Sequence, residues 1–118
     1  MSGTRHNIAF VGLFVVVLSA GCENSADIST GLQAELGSER IAACISAGQQ
    51  RDESVLPLLV DRLEDSDADV RLFAIGALKK ITGKDLGYRY YASSSERSEV
   101  VRKWRKWLTD RRKEKNGG

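Results

Sequence analysis

Histidine occurs once in the 118 residues, at His6, ahead of an apolar run. Past that run there is no imidazole to serve as a general base or metal ligand near neutral pH. Proline also occurs once, at Pro57, and the two cysteines, Cys22 and Cys44, are too far apart for a Cys-x-x-Cys pair. There is no glycine-rich phosphate loop and no Ser-His-Asp set. No alternation of apolar and polar residues runs long enough to predict a strand. Aromatics make up only 7% of the chain, which suits a helical core. Together these absences argue against catalysis, and the reading is of no catalytic residue, no cofactor and no metal. The acidic cluster Asp61, Glu64, Asp65, Asp67 and Asp69 invites calcium, but it lacks the loop glycine and closing glutamate of an EF-hand. Helix capping and solvated corners account for it instead.

What is present begins at the N-terminus. Residues 1–7 bring Arg5 and His6, residues 8–20 are apolar, and Leu18-Ser19-Ala20-Gly21 leads into Cys22. A basic start, a short apolar core and small residues are the parts of an export signal. The run is short for a membrane span, which takes ~20 residues. Small residues followed directly by cysteine resemble the lipobox of bacterial lipoproteins. That resemblance implies a diacylglycerol on the Cys22 thiol, cleavage before it, and residence in the bacterial envelope with a membrane anchor. An ordinary secretory signal and an uncleaved anchor helix are the two other readings. Residues 22–37 are polar, with several Ser and Thr and two glycines, and read as a flexible tether.

The strongest helical signal lies over residues 67–83. Val70, Ala74, Ala77, Leu78 and Ile81 share one face. Leu72, Phe73 and Ile75 extend the apolar surface to its flanks, which predicts packing on two sides. Ser66 and Asp69 form a capping-box-like pair, and Gly83 supplies a left-handed stop. Residues 38–48 predict an earlier helix, capped by Ser38, with Ile41, Cys44 and Ile45 as its stripe. Cys44 reads as a small buried hydrophobe. Residues 53–63 predict another helix, with Asp52 as N-cap and Pro57 in its first turn. Laying Arg40 on Arg71, an offset of 31 residues, aligns Ala43 with Ala74 and Ser46 with Ala77. Such a period signals stacked helical pairs.

The run Pro57-Leu58-Leu59-x-x-x-Leu63, then Asp65-Ser66-Asp67-Ala68-Asp69-Val70-Arg71-x-x-Ala74-x-x-Ala77-Leu78, resembles a HEAT-type repeat in the short form also found in phycobilin lyases. The resemblance implies an all-α fold, a short α-solenoid of helical hairpins. It implies structural roles for Asp67, Val70, Arg71, Ala74, Ala77 and Leu78, with Arg40 as the earlier rung. It also implies binding to another protein as a scaffold, here an unidentified envelope protein.

The C-terminal helix, residues 94–113, closes the stack. Ser93 and Glu96 fit a capping box. Trp104 and Trp107 are expected to form a lid over the open end, with Tyr88 beneath. Residues 114–118 read as a disordered tail, so the folded domain spans 38–113 after a signal peptide over 1–21. Residues 96–118 hold nine basic and four acidic groups, while residues 22–95 hold eight basic and twelve acidic. The basic helix therefore offers a second role. Arg102, Lys103, Arg105, Lys106, Arg111 and Arg112 could meet a membrane surface or another polyanion. Export argues against nucleic acid.

Overall fold

A computed structural model describes residues 24–117. The expected signal peptide, the lipidation site Cys22 and Gly118 lie outside the described residues. Among the described residues five α-helices follow one another: α1 (Ser25–Leu32), α2 (Gly37–Gln50), α3 (Leu56–Arg62), α4 (Ala68–Thr82) and α5 (Ser94–Gly117). A 3-10 turn, Glu53–Val55, leads into α3. The helices form two rows. Helices α1, α3 and α5 make one, α2 and α4 the other, and α1/α2 and α3/α4 pair as hairpins across them. The stack thus has two complete hairpins and a lone closing helix.

The first hairpin corrects the tether expected over residues 22–37. Asn24 caps α1 by accepting the Asp27 N–H at 2.9 Å. Ile28 and Leu32, one turn apart, are fully buried. A Cβ added at Gly31 would lie 2.8 Å from the Ala43 Cβ, so the glycine lets α1 lie tightly on α2. Eight mostly polar residues have little helical stability alone, and tertiary burial of one stripe holds them. The expected disordered tail is corrected too, since α5 runs through Gly117.

Helix starts differ from the capping signals in two places. The N-cap of α4 is Asp67, which accepts the Asp69 N–H at 2.8 Å, in place of a Ser66–Asp69 pair. The N-cap of α2 is Leu36, with no side-chain bond, in place of Ser38. Arg40 fastens that corner instead, donating to the carbonyls of Ala34 and Glu35. Asp52 and Gly83 act as expected: Asp52 accepts the Ser54 N–H, and Gly83 ends α4 at φ 77°. The Glu96 N–H donates to Ser93 Oγ at the start of α5.

The core joins both rows: Ile28, Leu32, Cys44, Leu59, Val60, Leu63, Ala74, Leu78, Val101 and Trp104. Helices α2 and α4 are the closest neighbours. The reason is at Gly48, where an added Cβ would come 3.3 Å from the Ala77 Cα. The expected packing of α4 on two sides is supplied by α2 and α3, while the tryptophan helix packs on α3. Leu72 and Phe73 stay two-fifths exposed.

Cys44 is a free, buried thiol. Burial pushes its pKa from 9.0 to about 12, against the lowering pull of Arg62. The unfolded thiol ionises first as pH rises. Stability from the neutral thiol is therefore complete below pH 9.0 and is lost as pH climbs towards 12. The thermal midpoint of the native chain should fall more steeply over that window than that of Cys44→Ala. Parallel pH profiles for the two proteins would refute this.

Candidate interaction surface

The charged residues divide between those that hold the stack together and those that face outward. Asp65 is the centre of the first group. It sits in the corner between α3 and α4, and its side chain is 4% exposed. Arg40 grips both its oxygens, Nε to Oδ2 at 2.9 Å and Nη2 to Oδ1 at 3.1 Å. Arg62 approaches Oδ2 at 3.4 Å. The Asp67 N–H donates to Oδ1 at 3.0 Å. Arg71 donates to the Asp65 backbone carbonyl at 2.7 Å and to the Tyr90 carbonyl at 3.0 Å. Arg40 thus ties the first hairpin to the second, and Arg71 ties the second to the loop before α5.

Of the expected repeat residues, Val70, Arg71, Ala74, Ala77 and Leu78 are buried along α4. Asp67 caps the helix and is not the partner of an arginine; Asp65 fills that place. Asp65 belongs to the quoted repeat motif, but the structural role was expected of Asp67, two residues on. The signal that marks it is position, at the turn itself with an arginine one hairpin earlier.

The aromatic end is built on the same corner. Trp104 is fully buried, and Trp107, half-buried, meets it edge to face with 5.6 Å between ring centres. Tyr88 is buried and its hydroxyl donates to the Leu63 carbonyl. Arg111 lies over the Trp107 ring, 5.2 Å from its centre.

The outward basic groups of α5 are largely engaged by carboxylates of the same chain. Arg105 reaches Asp61 at 3.3 Å and Glu64 at 3.8 Å. Arg111 holds Glu53 at 2.6 Å, with Lys115 at 3.8 Å from the same carboxylate. The hydrogen bond and charge of Arg111 hold the Glu53 carboxyl below its usual range. Lys106 pairs with Asp110 at 2.7 Å, and Arg102 with Glu99 at 3.6 Å. Only Lys103 and Arg112, among the six expected polyanion contacts, have no ion pair among the described residues. Each exposed pair contributes little stability. The Arg105, Arg111 and Lys115 pairs link α5 to the α3 segment, the other two lie within α5, and together they neutralise much of the cationic excess inside the fold.

Between the start of α3 and the C-terminal half of α5 lies an open groove of about 520 Å³. Leu56, Pro57 and Leu108 form its apolar wall, and Arg105, Arg111, Arg112 and Lys115 rim it opposite the single carboxylate of Glu53. Grooves of this volume accommodate a small ligand or a few side chains of a partner. Among the described residues no helix is long and apolar enough to cross a membrane.

Hairpins stacked in two rows, fastened by Arg40 on the Asp65 carboxylate and by Arg71 on backbone carbonyls, define an α-solenoid. Residues 28–104 match the family of HEAT repeats, and the chain belongs to that family. The match starts at Ile28 and ends at Trp104, two fully buried residues of the first and last helices. Members of this class commonly serve as scaffolds for protein interaction. Comparison with curated proteins and with solved structures returns no match.

Proposed function

We propose that this protein is a non-enzymatic interaction scaffold of the bacterial envelope, held at a membrane by lipid on Cys22. Its repeat, of the short kind shared with phycobilin lyases, is read as architecture and not as an activity. The observation that carries the proposal is the groove between α3 and α5. Its apolar wall and cationic rim suit a partner segment bearing an apolar side chain flanked by carboxylates.

A photo-crosslinking residue placed at Thr109, in that groove, should capture an envelope protein in living cells. Arg112→Glu with Lys115→Glu should cut the yield severalfold, while the same probe at Leu36, which is 60% exposed, should give little. Equal yields at both positions, or yields indifferent to the charge reversals, would defeat the groove. The anchor is tested separately by intact mass of the mature protein. A chain starting at Cys22 with added acyl mass is expected, and one starting at Met1 overturns the anchoring.

The lesser reading is a membrane-surface or polyanion contact through α5. Exposed Lys103 and Arg112 favour it, but the other four basic residues already face carboxylates of the chain.

A further inference from the structure

Helix α4 carries a face that no other described helix covers. Successive residues are about 100° apart around a helix. Asp69, Leu72, Gly76 and Lys79 therefore lie in one stripe, on the side away from Ala74 and the core. All four are exposed. Phe73 and Ile75 flank the stripe, Phe73 39% exposed and Ile75 half-buried. At the 31-residue offset Ile45 takes the place of Gly76 and is 39% exposed, so the apolar surface continues onto α2.

Gly76 has no role within a single copy. A glycine inside a helix is destabilising relative to alanine. A Cβ added at Gly76 would meet nothing within 4 Å. Gly48, by contrast, faces the Ala77 backbone, and there the missing side chain permits close helix packing. Gly76 offers the same bare backbone to solvent.

The stripe is its own complement. Asp69 and Lys79 stand five residues either side of Ala74, Leu72 and Gly76 two residues either side, and Phe73 and Ile75 one. We propose that two copies of the chain associate through antiparallel α4 helices about a twofold axis at Ala74. Leu72 of each copy then rests on the bare Gly76 backbone of the other. Asp69 of each meets Lys79 of the other, while the two Phe73 side chains meet along one edge and the two Ile75 side chains along the other. A twofold interface requires this self-complementarity, because one patch must serve both copies. The acidic start and basic end of α4 reinforce it, since antiparallel helices bring opposite dipole ends together. Within one copy Lys79 has only Asp85, 4.0 Å away with both side chains largely exposed, so it is free to change partner. One pair of helices, with help from α2, is a small interface. The dimer is accordingly weak and concentration-dependent.

The test is sedimentation equilibrium of the full chain in density-matched detergent. The mass of the wild type should rise with concentration towards a dimer. Asp69→Lys alone and Lys79→Asp alone should each weaken association at least about tenfold, because each sets like charges opposite one another at both ends. Mixing the two variants should restore association, since the stripe of one then carries two positive charges and that of the other two negative ones. Gly76→Ala should raise the thermal midpoint at low concentration, where nothing obstructs the methyl group, and weaken the dimer. A wild type that stays monomeric throughout overturns the proposal. So do single variants that associate as the wild type does, or a mixture that stays monomeric.

Discussion

Asp65→Ala is expected to destabilise the fold by about 3–5 kcal/mol, the usual cost of breaking a buried ion pair from one side. For a domain of this size that lowers the thermal midpoint by more than about 12 °C. The loss is large because one carboxylate serves both hairpins. Without it, Arg40 keeps only the carbonyls of Ala34 and Glu35. Arg62 loses its nearest anion, and the Asp67 N–H loses its acceptor just before α4. Asp65→Asn should fall between, since an amide oxygen can still accept from Asp67 or Arg40 but carries no charge. The informative comparison is Arg40→Met with Asp65→Leu in one chain. Removing both charges leaves nothing buried and unpaired, so the double variant should recover much of the loss. Thermal unfolding of the three variants followed by circular dichroism checks this. A loss under about 1 kcal/mol for Asp65→Ala would mean that the corner is held by its backbone turns alone, with the Arg40 contact dispensable.

Asp65 also shows why the sequence was readable in one place and opaque in another. Helix α4 could be drawn from the chain because its evidence is local: five apolar residues on one face and a glycine at the end. The role of Asp65 depends on Arg40, 25 residues earlier, and no spacing rule relates the two. Helix α1 stayed hidden for a related reason. Only Ile28 and Leu32 mark its buried side, and its serines, threonine and glycine match a linker as well as a helix. What decides between them is the surface of α2 that receives it. With α1 in place the first hairpin is complete, which is how so short a stack encloses a core.

The split of charge was legible, and its meaning was not. An acidic body and a basic last helix suggested an external anion. In the fold, Arg105 and Arg111 answer Asp61, Glu64 and Glu53 across the α3–α5 contact. These partners lie some forty to sixty positions apart in the chain. The asymmetry therefore works first as a docking signal for α5. What remains for a partner is the rim around the apolar wall, where Arg112 has no carboxylate of its own among the described residues. Both proposed surfaces are features of the described helices: none of them covers the far face of α4, and α5 extends past the start of α3 to frame the groove.

The lid offers the sharpest contrast between two substitutions at one site. Trp104→Ala should destabilise the fold by about 3–5 kcal/mol, a large fraction of a marginal stability of about 5–15 kcal/mol. Trp104 is fully buried where α5 meets the core, and among the described residues no second-row helix pairs with α5 to collapse into the space. Trp104→Phe should cost much less than its loss of volume suggests. The indole Nε1 is buried without a hydrogen-bond partner among the described residues. Burying such a donor unpaired costs about 1–3 kcal/mol, and phenylalanine removes that penalty while keeping an aromatic edge against Trp107. The two effects oppose each other, so Trp104→Phe should stand within about 1–2 kcal/mol of the wild type. Urea unfolding of both variants measures the difference. If Trp104→Phe were as damaging as Trp104→Ala, the indole N–H would have to be bonded in solution, and its solvent-shielded position at the end of the core would need revision.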